Sequence, residues 1–221
     1  EKGGQWRLAF LRLGRHQELG SFPTRSTSNL AISACEKGGQ WQRALSLLDE
    51  MRREGVAPNV ISYNAAISAC ASAHQSAVAL RVFEDALRSV VPTMSIFNAV
   101  LDAVCVPQPA EARALWLRGV DRDIYADFGG WERGTPKLDL HGFSEGAAET
   151  TVRWWLEGRA HHPQKIIVTG WGKHRRGWQR GDLHGRVTRV LAAVGVPTRP
   201  TENPGVVLVD YGYGYGAAAE R

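Results

Sequence analysis

The sequence predicts an α-helical repeat solenoid, an α-α superhelix, followed by an α/β domain with a mainly parallel sheet. Three observations carry this. The block Glu-Lys-Gly-Gly-Gln-Trp at residues 1–6 recurs letter for letter at 36–41. The block Ala-Ile-Ser-Ala-Cys at 31–35 recurs at 66–70, and Asn29 as Asn64, again 35 residues on. A fixed period of this length marks stacked helical units, none of which can bury its apolar face alone. After Gly129-Gly130 and Gly134-Thr135-Pro136 the helical pattern breaks, and short apolar runs begin to alternate with helical ones, as in an α/β layer.

The 221 residues, 43% of them hydrophobic, suffice for two ordinary domains with filled cores. Polar residues or Pro break every apolar run short of the roughly 18 residues that a membrane helix needs, so no membrane partner is expected. Cys35, Cys70 and Cys105 stand one period apart with no Cys-x-x-Cys pair. That is the pattern of small core residues, not of a zinc site or a disulfide framework. The chain opens without Met and inside a repeat, and so reads as the end of a longer protein whose targeting segment would lie upstream. Charge is uneven: residues 1–128 hold 14 Lys and Arg against 13 Asp and Glu, residues 137–210 hold 11 against 7, and residues 171–189 hold six against one. A basic patch beside a near-neutral repeat array points the C-terminal domain at an anion, most economically a nucleic-acid backbone.

Within the repeats, Trp41, Ala44, Leu45 and Leu48 follow the Gly38-Gly39 turn at i, i+3, i+4 and i+7, which is one face of a helix. Trp6, Ala9, Phe10 and Leu13 show the same offsets, as do Ser76, Ala79, Leu80 and Phe83. In the next unit Ala114 and Leu115 still fit, but Arg118 takes the last apolar place. Each unit is therefore a helix pair, with helix A near 60–71 and helix B near 75–89 in the best-formed one.

The run 60–70, with its Tyr63-Asn64 opening, and the run 44–51 closing through Gly55 to Pro58-Asn59 resemble pentatricopeptide repeats. The resemblance covers residues 1–122: one partial repeat, two good ones and one degenerate. It implies that each repeat presents one base of single-stranded RNA to a residue near the start of helix A and to the last residue of the unit. Carried over, the base-reading pairs are Asn29 with Asn59 and Asn64 with Thr93, and the Asn-Asn combination implies a pyrimidine. Asn98 follows Asn64 by 34 residues and is assigned no base. The alternative is that these Asn residues only cap helix A.

Residues 123–136 read as a linker. Beyond it, 137–140 reads as a strand, Ser144 as the N-cap of a helix to about Arg159, 165–169 as a buried strand, 183–194 as a second helix and 206–210 as the last strand. This β-α-β-α-β order implies the mainly parallel sheet. Residues 212–221 form a low-complexity tail after it.

Leu138-Asp139-Leu140-His141-Gly142 and Thr169-Gly170-Trp171-Gly172-Lys173-His174 resemble the two signature motifs of the small MutS-related (Smr) domain. Asn203-x-Gly205 with 206–209 is similar to the end of that family, so the resemblance spans 137–211. It implies endonuclease activity on RNA, or nicking of DNA. A pentatricopeptide array with a terminal Smr domain further implies an organellar protein of the chloroplast or mitochondrion. Arg175 departs from the Ser that often follows the motif His.

The residues carry chemistry of their own. On a strand Asp139 and His141 share one face while Leu138 and Leu140 share the other. If the two motif-bearing strands are parallel neighbours, both motifs leave the same sheet edge, where α/β folds place ligands. Thr169, Gly170, Trp171 and Gly172 would offer backbone N–H groups to a phosphate, with Lys173, Arg175, Arg176 and Arg180 supplying charge. His141 can act as general base or acid with Asp139 orienting it, and His174 as a second proton carrier. The alternatives are hydrogen bonding within the turn for Asp139 and His141, and plain phosphate contact for His174. A divalent metal such as Mg²⁺ is compatible with the chemistry, and nothing in the sequence requires it. Trp171 and Trp178 flank the basic run as stacking platforms. Of Trp154 and Trp155, adjacent on one helix, at least one must pack in the core. His161 and His162 read as loop residues with no site role.

These features combine into sequence-selective binding of single-stranded RNA by the repeats, coupled to an Smr endoribonuclease in organellar RNA processing. The expected state is a monomer, with DNA as a second ligand of the Smr domain. The main rival is a non-catalytic protein whose Smr domain only grips nucleic acid or docks a partner. A scaffold that binds protein alone fits the basic patch poorly.

Overall fold

The computed structural model describes residues 24–126, 128–158, 162–170, 182–199 and 201–211. The chain divides into two compact units between Gln108 and Pro109. The expected N-terminal half repeat and the tail lie outside the described residues.

The first unit contains α1 (Arg25–Lys37), α2 (Trp41–Arg53), α3 (Val60–Ser72), α4 (Ser76–Ser89) and α5 (Met94–Val104). The A helices α1, α3 and α5 stack side by side, α1 on α3 and α3 on α5, while the B helices α2 and α4 pack on the A helices that flank them. An A helix is therefore covered on most sides. Its sequence matches: Ala65, Ala66, Ile67, Ala69 and Cys70 of α3 are all buried, and small side chains let neighbouring backbones approach. A B helix buries one stripe only, Ala44, Leu47, Leu48 and Met51 in α2 and Ala79, Val82, Phe83 and Ala86 in α4. Trp41, Leu45, Ser76 and Leu80, expected on that stripe, are half-buried at its margin.

Cys35, Cys70 and Cys105 are free thiols in this core. Burial raises the Cys35 thiol above its usual value and pushes Cys70 up to about 11, so both stay protonated and unreactive at neutral pH.

The period also shows in the turns. Gly39 and its equivalent His74 both adopt left-handed backbone, at φ +67° and +57°, which lets the next amide, of Gln40 or Gln75, reach back to the Cys35 or Cys70 carbonyl at 2.9 Å. Glycine takes this conformation freely, whereas a residue with a Cβ pays about 1–3 kcal/mol. His74→Gly is therefore expected to raise stability by about 1 kcal/mol, and Gly39→Ala to lower it by a similar amount. Urea unfolding checks both, and an unchanged midpoint for His74→Gly would remove the strain argument.

The second unit contains α6 (Pro109–Val120), β1 (Gly129–Glu132), β2 (Thr135–Asp139), α7 (Glu145–Gly158), β3 (Gln164–Val168), α8 (Leu183–Ala193), β4 (Thr198–Arg199) and β5 (Val206–Asp210). Its sheet has the order β1-β2-β3-β5-β4. Leu138, Ile167, Val207 and Val209 form one core with Val152 and Trp155 of α7 and Val187 and Leu191 of α8. Ser144 caps α7 as expected, accepting from the Ala147 N–H at 3.3 Å.

Three expectations are corrected here. The sheet is mixed rather than mainly parallel: only β2 and β3 pair parallel, while β1–β2, β3–β5 and β4–β5 are antiparallel. The cause is the two-residue strand β4, too short to read from sequence. The α8 crossover returns to β4, which runs parallel to β3 one place away, and the chain then doubles back to insert β5 between them. Secondly, the expected linker 123–136 contains β1 and the start of β2, joined through the left-handed Arg133 and Gly134. Thirdly, the expected degenerate repeat helix α6 belongs to the second unit. Its buried face is Ala112, Leu115, Trp116 and Gly119, with Ala114 exposed. Trp116 sits 4.5 Å from Trp154 and 5.3 Å from Phe128, centroid to centroid. Both helix tryptophans are thus used for packing, Trp155 on the sheet and Trp154 on α6.

Candidate functional site

In the first unit, stacking of α1 on α3 joins Asn29 to Asn59. Asn29 Nδ2 donates to Asn59 Oδ1 at 3.2 Å. Asn59 is the N-cap of α3: its Oδ1 also accepts from the backbone N–H groups of Ile61 and Ser62 at 3.1 and 3.2 Å. Ser62 completes a capping box by accepting from the Asn59 N–H at 3.0 Å, and its hydroxyl donates to Asn29 Oδ1 at 2.6 Å. Capping therefore accounts for Asn59 but not for Asn29, which lies in the second turn of α1. Both carboxamide oxygens of the pair are occupied. What remains for a ligand is N–H.

Asn64 holds the equivalent place in α3, yet its Oδ1 is buried without a hydrogen-bond partner. The third residue of α5 is Ile96, where α3 has Ser62, so the hydroxyl that would satisfy it is missing. Thr93, the N-cap of α5, makes no side-chain cap bond, and its Oγ1 pairs with Ser95 Oγ at 2.9 Å instead. A buried acceptor left unmade costs about 1–3 kcal/mol.

In the second unit, β2 and β3 are parallel neighbours with Asp139 opposite Val168, so both motifs leave one sheet edge. β2 ends at Asp139, and His141 lies in the following turn. The pair thus meets through a turn and not by strand alternation: Asp139 Oδ1 accepts the His141 backbone N–H at 3.0 Å and also bonds the ring Nδ1. With Nδ1 donating to a carboxylate, the neutral ring carries its lone pair on Nε2. That edge of the ring lies over Gly170, where an added Cβ would stand 3.1 Å from His141 Nε2, and Gly170 has φ +77°. Only glycine suits both the backbone and the ring above it.

The phosphate cradle is corrected in part. The N–H groups of Thr169 and Gly170 both point to the Gly205 carbonyl, at 2.8 and 3.3 Å, and Thr169 Oγ1 donates to the same oxygen at 3.2 Å. These groups are spent on joining β3 to the entry of β5. Trp171, Gly172, Lys173, His174, Arg175 and Arg176, like Trp178, Arg180 and His161, lie outside the described residues. His162 bonds within its own loop, to Gln164.

Two residues of the site were missed from sequence. Ser62 was legible in principle, because Asn59-x-x-Ser62 repeats Thr24-x-x-Thr27 one period earlier, and both form capping boxes. His184, in the first turn of α8, has Nδ1 3.4 Å from Thr169 Oγ1, and no local pattern signals a contact between residues 15 apart. Its helix is fixed by Glu149, a buried carboxylate of α7 that accepts from Arg186 at 2.8 Å and from Arg153 at 3.0 Å.

A model of the PPR repeat family matches residues 23–72, and a PPR repeat model matches residues 61–89. Residues 23–89 are PPR repeats. The helix pairs α1–α2 and α3–α4 supply them. Among solved structures, the pentatricopeptide repeat protein PPR10 from maize is similar at a TM-score of 0.58 and 20% identity, over 87% of this chain and 25% of that one. PPR10 in complex with an 18-nt psaJ RNA element is similar at a TM-score of 0.52 and 16% identity, over 70% of this chain and 21% of that one. The chain thus spans at most a quarter of the length of these PPR proteins. No curated protein matches it.

The bonds between adjacent PPR repeats predict that Asn59→Ala lowers stability by about 1 kcal/mol through loss of the cap. Ser62→Ala should lower it too, by leaving Asn29 Oδ1 unsatisfied. A double-mutant cycle in urea checks this, and strictly additive losses would show that the three side chains do not act as one network.

Proposed function

We propose that the chain binds single-stranded RNA along its row of A helices and cleaves RNA at the sheet edge of the second unit. The carrying observation is the recurrence of Asn29, Asn59 and Asn64 on successive A helices, where stacking occupies the oxygens of the first pair and leaves their N–H groups. The two positions differ: Asn29 and Asn59 are held by each other and by Ser62, whereas the Asn64 Oδ1 has no such partner. A splayed base matches N–H groups along its Watson–Crick edge, with pyrimidine carbonyls suited to the first position. The RNA complex of PPR10, which shares the repeat fold, supports RNA as the ligand class.

For cleavage, support comes from the Asp139–His141 pair held over Gly170, from the likeness of both motifs to Smr domains, and from the excess of basic residues over 171–189. The second reading, a nucleic-acid grip without turnover, draws on the excess of basic residues over 171–189 alone.

Asn64→Ala should remove base preference at one position and weaken binding by about 1 kcal/mol, roughly fivefold, in a selection from a randomised RNA pool. An unchanged preference would sink the base-reading role. Asp139→Ala and His141→Ala should each lower cleavage of an end-labelled RNA by about 10²- to 10⁴-fold, while the folded variants keep their affinity. Tight binding by the parent with no cleavage at all would favour the second reading.

A further inference from the structure

We infer that His184 is the second proton carrier of the sheet-edge site, so that His141 and His184 together cleave RNA by transesterification; this rests on the ribonuclease reading above. The argument starts from tautomers. Thr169 Oγ1 has one hydrogen, and Gly205 O takes it at 3.2 Å. Toward His184 Nδ1, 3.4 Å away, the hydroxyl is therefore the acceptor, and His184 donates from Nδ1. His141 is tied the same way, with Nδ1 on Asp139 and Nε2 over Gly170. Two exposed imidazoles thus lie against consecutive residues of one turn, each anchored through Nδ1 and each with Nε2 outside that bond. Both rings therefore stand beside the same turn at the end of β3.

Other titratable or charged groups at the end of β2 and in the caps and first two turns of α7 and α8 include Asp139, Glu145, Glu149, Asp182 and Arg186. Glu145 accepts the Asp182 N–H, Asp182 caps α8 through Gly185 N–H, and Glu149 is held by two arginines. Each already has a structural partner, which leaves the imidazoles to move protons.

The step balances without a co-reactant. One imidazole takes the proton of a ribose 2′-OH, the 2′-oxygen bonds to phosphorus, the bond from phosphorus to the 5′-oxygen breaks, and the other imidazole gives that oxygen its proton. The products are a 2′,3′-cyclic phosphate and a 5′-OH. Water then resets the two protonation states.

The test uses the full chain and an end-labelled single-stranded RNA, beside the same RNA with one 2′-deoxy position. The parent should cleave in EDTA, leave cyclic-phosphate ends, and spare the deoxy linkage. His184→Gln should lose on the order of 10²-fold or more in kcat with KM little changed, and one limb of the pH profile should disappear. His141→Gln should remove the other limb. Thr169→Val, which keeps the shape of the turn but removes the acceptor for Nδ1, should show a smaller loss in the His184 limb. A His184→Gln protein that cleaves like the parent with both limbs intact overturns the inference alone, as do 5′-phosphate products that require a metal. A parent that cleaves no RNA overturns the ribonuclease reading together with it.

Discussion

The side-by-side contact of α1, α3 and α5 is the one from which the other features of the helical unit follow. A helix covered on two sides has no room for large residues at the contact. Alanines, serines and cysteines at those places set the separation of adjacent A helices, with Ala31, Cys35, Ala66 and Cys70 fully buried. At that separation the second turn of one A helix meets the N-terminus of the next, and Asn29 reaches the cap formed by Asn59 and Ser62. Polar and apolar requirements are met by the same geometry. The carboxamide that the stacking leaves unsatisfied, Asn64, is the one where the period shortens by a residue and Ile96 replaces the hydroxyl.

The helical unit was largely legible because its information is local and repeated. An exact 35-residue echo fixes the period, and the offsets of Ala44, Leu48, Ala79 and Phe83 fix the buried stripe. What escaped depends on distant contacts. α6 keeps a weak helical echo of the repeats, yet its tryptophan is placed by Trp154 and Phe128, so the helix belongs to the second unit. The direction of β5 is decided by a two-residue strand, and a run of Val-Val-Leu-Val-Asp reads the same whichever way it pairs.

At the sheet edge the same division holds. Asp139, His141 and Gly170 were singled out by the resemblance of two short motifs, which the parallel β2–β3 pair brings to one edge. His184 and Gly205 were not, since their approach to Thr169 depends on how α8 and β5 return. In Glu149 burial and charge interlock: held between Arg153 and Arg186, it ties α7 to α8 and so sets where the first turn of α8, with His184, stands. Burying such a carboxylate is tolerable only with partners on both oxygens.

The most direct measurement is cross-linking of a 4-thiouridine RNA to the full chain, with the adducts mapped by mass spectrometry. Binding along the A helices predicts adducts near Asn29 and Asn59 and near Asn64, separated by one nucleotide in register. Adducts confined to the outer faces of α2 and α4, with none on the A helices, would contradict it.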